Sequence, residues 1–144
     1  MDYAGTLTAL AGVIVVVTLQ KTARRLEVTF TLSKNANLGV DQCFFIARRN
    51  YQVTDASCVF SVAAGGTSTV QLVRDTLTDA PGAGTDLLGT AFNLNATANT
   101  VIVGSLTADA RFNYLMAGDR LAVDFANAAQ SSAGVTVTVS LIPA

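Results

Sequence analysis

The chain has 144 residues and a formal net charge of −1, with 13% of residues charged and 51% hydrophobic. It contains no His and a single Glu (Glu27), which removes His-based acid–base and metal chemistry and leaves few carboxylate pairs for catalysis. A near-neutral chain also lacks the basic domain through which proteins neutralise nucleic-acid phosphates. Thr (18), Val (17) and Ala (23) take the place of the missing charge.

In chain order, residues 1–11 are small and polar, and 13–19 form a β-branched run. That run is far shorter than the ~18–20 apolar residues that cross a bilayer. No basic region precedes it, so neither a membrane span nor a signal peptide is expected, and the chain is expected to remain in the cytoplasm where it is made. We read 1–22 as an N-terminal arm or edge strand and 23–144 as a single β-sandwich domain. Arms of this kind can add a strand to the sheet of another subunit. Tyr3, Leu7 and Leu10 are therefore candidate contact residues.

Next comes strict alternation. Leu26, Val28, Phe30 and Leu32 alternate with Arg25, Glu27, Thr29 and Thr31. Period two places each set on one face of a pleated strand, and outward Thr forms strands while staying wet. Segments 43–49 and 52–63 read as a hairpin whose tip is Asn50 and Tyr51. Cys43 and Cys58 would then face each other across it, either as two small buried residues or, with suitable Cα spacing, as a disulfide. Strands are expected over 68–76, 90–94, 99–106 and 111–115, with turns at 63–66, 81–84, 95–99 and 117–119. One short helical turn is expected within 108–116. Two more alternating strands close the chain, on Leu121, Val123 and Phe125 and then on Val135, Val137, Val139 and Leu141. Short strands at this spacing predict an all-β, mostly antiparallel sandwich or barrel.

Sites of chemistry are sparse. Two Cys without His make no zinc site, and neither Cys has a neighbouring base. Asp75, Asp79 and Asp86 flank the Pro-Gly loop and could hold a calcium ion, but Asp in turns commonly bonds its own backbone. The Gly-rich turns lack the Lys-Ser/Thr ending of a phosphate loop. No catalytic, cofactor or metal site is expected. Arg24 with Arg25 and Arg48 with Arg49 are the local basic features. Plainly read, they are solvated strand ends or salt-bridge partners; more sharply, they contact an acidic protein. Tyr51 is the one aromatic expected in an exposed contact, so Arg48, Arg49 and Tyr51 join the arm as candidate contact residues.

The stretch 28–141 resembles small tailed-bacteriophage structural proteins of the head decoration (cement) and head-fibre kind. The resemblance is carried by Glu27-Val-Thr-Phe-Thr-Leu-Ser-Lys-Asn-Ala36, an Ala-Arg-Arg element at 47–49, Thr69-Val-Gln-Leu-Val-Arg-Asp75, and Leu115-Met-Ala-Gly-Asp-Arg-Leu-Ala-Val-Asp-Phe125. It implies a jelly-roll-like sandwich and a virion protein, assembled in the host cytoplasm. On that reading the protein binds the major capsid protein on the capsid exterior as a homo-oligomer, a trimer, without nucleic acid, membrane or catalysis. A receptor- or glycan-binding fibre module and a tail or neck component are the alternatives.

Overall fold

The computed structural model describes residues 24–32, 41–127 and 132–144. The arm 1–22, with Tyr3, Leu7, Leu10 and the expected strand over 13–19, lies outside the described residues. The described residues form ten strands: β1 (Leu26–Leu32), β2 (Gln42–Ile46), β3 (Tyr51–Val59), β4 (Ser68–Asp75), β5 (Thr85–Asp86), β6 (Phe92–Asn93), β7 (Ile102–Val103), β8 (Tyr114–Leu115), β9 (Arg120–Asn127) and β10 (Val135–Pro143). No helix occurs among the described residues.

All pairing is antiparallel and forms two sheets. One sheet runs β1-β10-β3 and then β7, with β8 also on β3; the other runs β2-β9-β4 and then β5, with β6 also on β4. β5 and β6 lie along one edge of β4, and β7 and β8 along one edge of β3. Counted as one interrupted strand each, they reduce the fold to eight strands ordered 1-8-3-6 against 2-7-4-5. Consecutive strands at the start of the chain alternate between sheets, and the first pairs with the last, which is the jelly roll.

Alternation explains the faces. Phe30 and Leu32 of β1, Val137, Val139 and Leu141 of β10, and Leu121, Val123 and Phe125 of β9 are buried, while Thr29 and Thr31 are exposed. Phe30 links the sheets: its ring centroid lies 5.8 Å from that of Phe44 on β2 and 6.0 Å from that of Phe125 on β9, both tilted. A bulge at Ser140/Leu141 leaves Thr54 without a register partner. Its hydroxyl donates to the Ser140 carbonyl at 3.2 Å.

The hairpin expected over 43–63 does not form. β2 pairs with β9 and β3 with β10, so the 47–50 connection crosses from one sheet to the other. Both strands bury apolar residues against the same core, which two strands do equally well side by side or face to face. Cys43 and Cys58 accordingly do not face each other as cross-strand partners; both are free, the first exposed and the second buried. Within 108–116, where one helical turn is expected, the Phe112 and Asn113 N–H groups donate to the Asp109 and Ala110 carbonyls, two successive i→i+3 turns that do not extend into a helix.

β5 was not expected. It arises because the loop 76–84 folds back onto the outward face of the second sheet. Buried Asp75 accepts the Gly82 and Gly84 N–H groups, each at 3.0 Å. A Cβ on Gly82 would lie 3.0 Å from the Asp41 side chain, so the loop reaches from β4 across β9 to the start of β2. Outward-facing Val73 and Ala122, partners in register, are fully buried. Past β5 the chain leaves β4, and the Gln71 side chain fills the gap. It donates to the Leu88 carbonyl and accepts from the Leu88 N–H, both at 3.2 Å.

Candidate docking surface

The described arginines divide into two groups. Arg74 donates to the Tyr114 and Arg111 carbonyls at 2.7 and 3.2 Å. Arg120 donates to the Thr76, Leu77 and Asp79 carbonyls at 3.4, 3.2 and 3.0 Å, fastening the loop. Arg111 pairs with Asp109, the one ion pair among the described residues, and this bidentate contact holds the Asp109 carboxyl down at about 2. Arg24, Arg25, Arg48 and Arg49 remain, all exposed and none ion-paired to a described residue.

These four gather at one end of the sandwich. β10 lies between β1 and β3, with Leu26 opposite Leu141 and Pro143 opposite Tyr51. That register sets the approach to β1 beside the 47–50 crossover. Arg24, Arg25, Leu26, Arg49, Tyr51 and Pro143 line one shallow groove of about 230 Å³. Tyr51 is half-buried rather than freely exposed; its ring meets Phe45 edge-on, with centroids 5.8 Å apart. Asn50 stiffens the crossover, its side-chain oxygen accepting from Ala117 N–H and its carbonyl from Ala144 N–H, each at 3.0 Å.

A second shallow groove, about 430 Å³, is lined by Cys43, Phe44, Phe45, Ile46 and Arg48. It follows β2, which pairs with β9 on one side and has no strand on the other among the described residues. Such an edge offers unpaired backbone groups to an added strand. Ile46 is 53% exposed there, so the edge is apolar as well as open.

The sequence candidates are thus partly united. Arg49 and Tyr51 share the first groove, Arg48 lies on the second, and Arg24 and Arg25, noted only as a basic pair, complete the first. Tyr3, Leu7 and Leu10 lie outside the described residues, which begin at Arg24, at this same end.

The acidic residues are arranged differently from the sequence grouping. Asp75 holds the loop backbone, and Asp79 accepts from the Thr76 N–H and hydroxyl at 2.9 and 3.2 Å. Asp86 instead joins Asp41 and Asp124 in a row on the outward face of the second sheet. Partial burial and then the neighbouring Asp41 and Asp86 carboxylates raise the Asp124 pKa above the ordinary carboxylate value. No group of three or more potential ligands suited to a metal occurs among the described residues. A raised carboxyl pKa means that the folded state binds the proton more tightly than the unfolded one, so this group's contribution to stability is lost as pH rises through the raised value. Asp124→Asn is therefore expected to raise the melting temperature at pH 7, with the gain shrinking as pH falls toward the ordinary carboxylate range, a trend that thermal melts of both proteins across that range check.

The cysteines provide a further test. Burial pushes the Cys58 thiol up to about 12, while Cys43 is exposed. An aromatic disulfide reagent at pH 8 is expected to titrate one thiol in the folded protein and two in denaturant.

No family model and no curated protein matches the chain. Among solved structures, the chain is similar to a chain of the capsid of Ralstonia phage GP4, at 19% identity and a TM-score of 0.48, over 81% of this chain and 80% of that one. It is similar to a chain of the cyanophage Pam1 capsid asymmetric unit at 13% identity and a TM-score of 0.47, over 83% and 84%. A third likeness, to a chain of infectious bursal disease virus Gx strain, has 15% identity and a TM-score of 0.35, over 81% and 32%.

Proposed function

We propose that the protein is a non-catalytic structural component of a phage virion, a decoration protein that binds the outer surface of the capsid and stabilises the shell. One observation carries this reading: Arg24, where the described residues begin, the apolar edge of β2 and four arginines without ion partners among the described residues meet on one part of the jelly roll. The sequence resemblance to head decoration proteins supports it, as does the low charge density, which suits surface covered in an assembly. The partner is the major capsid protein. Docking rests on the arm and the β2 edge through strand addition and apolar burial, worth roughly 25 cal/mol per Å² before the cost of association.

Deleting residues 1–20 is expected to abolish or sharply reduce occupancy on purified heads, read by gel densitometry and electron microscopy. Full occupancy by the truncated protein would remove the arm from the mechanism. Density for the native protein at the tail or neck, with none on the head surface, would overturn the decoration role.

A further inference from the structure

We propose that the groove formed by Arg24, Arg25, Arg49 and Tyr51 docks the carboxylate row Asp41, Asp86 and Asp124 of a second copy of this chain, giving a head-to-tail contact between copies. The inference goes beyond the capsid-docking reading, and its test needs no capsid.

The groove is a built feature. Two separate chain segments deliver its three guanidiniums, and Pro143 and Tyr51 form its wall. Tyr51 is fixed against Phe45, which gives an arriving carboxylate segment a rigid flank. A guanidinium fork takes a carboxylate through two parallel hydrogen bonds, so three forks around one groove select a multiply acidic surface.

The matching surface is on the same molecule, out of reach of the groove. Asp41 precedes β2 and the 47–50 crossover that carries Arg49 follows it, so the acidic and basic features lie at opposite ends of that five-residue strand, about 17 Å at ~3.3 Å per residue. Asp124 lies on β9, and Asp86 pairs beside Val73 on β4, so the row crosses the outward face of one sheet. None of the three makes an ion pair with a described residue. Partial burial first, and then the Asp41 and Asp86 carboxylates beside it, raise the pKa of Asp124. A second copy supplies three cations. Two different patches of one chain that complement each other make a heterologous contact, which closes into a ring or continues as an open array according to the rotation it imposes.

The experiment is a charge swap read by sedimentation velocity on the full chain. One variant carries Arg24→Glu, Arg25→Glu and Arg49→Glu; the other carries Asp86→Lys and Asp124→Lys. Asp41 is kept because its side chain accepts the Phe125 N–H. The native chain is expected to self-associate at about 0.02 M salt and to weaken at least tenfold at about 1 M, where screening is strong. Each variant alone is expected to be monomeric, and an equimolar mixture is expected to associate again, since the Glu groove of one variant complements the Lys row of the other and the untouched Arg groove complements the untouched Asp row. Should either reversal fail to fold in a thermal melt, neutral variants (Arg to Gln, Asp to Asn) are expected to weaken native association at least tenfold. Association of both variants at the native level overturns the proposal, as does a mixture that stays monomeric. A native chain that is monomeric at low salt, yet retains a labelled duplex through the arginines, also overturns it and assigns the groove to phosphates. A monomeric native chain whose Arg variant loses only capsid occupancy assigns the groove to another protein's acidic surface, and the capsid-docking reading survives.

Discussion

Gly84→Ala is expected to destabilise the fold by about 3 kcal/mol, the upper part of the usual range for overpacking. A Cβ built on Gly84 would lie 2.0 Å from the Arg74 carbonyl oxygen and 2.8 Å from its carbon. Both are backbone atoms of a central strand, so no flexible side chain can yield. The chain must move away instead, which lengthens the Gly84 N–H bond to Asp75 and the neighbouring register of Thr85 with Arg74. Asp75 is fully buried, so a loosened bond leaves a carboxylate oxygen without its partner. The expected shift in melting temperature is on the order of 10 °C for a domain of this size. Gly66→Ala, where nothing lies within 4 Å of the added Cβ, is the control and is expected to change little. Calorimetry of the three proteins checks the pair; a native melting temperature for Gly84→Ala would show that the β4–β5 turn is looser than its geometry.

Phe30→Ala is expected to cost about 3–5 kcal/mol, the range for deleting a buried aromatic ring. The residue is 5% exposed and sits on β1, whose sole strand partner among the described residues is β10. Its ring also reaches Phe44 and Phe125 on the opposing sheet. Removal therefore opens a cavity between the sheets and loosens the strand that Arg24 and Arg25 lead into. Urea unfolding is expected to show a lower midpoint with Phe30→Ala and a smaller loss with Phe30→Leu. Thr29→Ala, one residue away on the exposed face, is expected to stay within about 0.5 kcal/mol of native. Equal losses at both positions would mean that the pleat assignment of β1 is wrong.

Much of this fold was legible wherever a strand is half-buried. In β1, β9 and β10 the apolar residues fall at every second position because one face meets the core and the other meets water, and the strand bounds follow closely. Pairing partners were not legible. The alternation of 43–63 is the same whether β2 and β3 lie side by side or in opposing sheets, and what decides is a contact between Cys58 and Val137, far apart in the chain. β5 escaped notice because two residues cannot display a period; it exists through the Asp75 carboxylate and the Gln71 amide, which bond backbone at a distance. The candidate surface was half legible. Arg48, Arg49 and Tyr51 were marked by their residue types, but their union with Arg24 and Arg25 depends on β10 lying between β1 and β3. Asp86 was placed with Asp75 and Asp79 by sequence proximity, whereas the sheet order places it with Asp41 and Asp124.

The central position of β10 also governs when the first sheet and its groove can form. During translation β1, β2 and β3 emerge early, yet the first sheet has no middle until residues 135–143 leave the ribosome. Pairing across this separation is entropically costly and slow to nucleate. A partly synthesised chain therefore exposes the facing edges of β1 and β3, the kind of surface that aggregates. The groove is built on those same strands and on Pro143, so it closes at the same step that completes the sheet. The completion of the sheet and of the groove are thus coupled in time by the strand order itself.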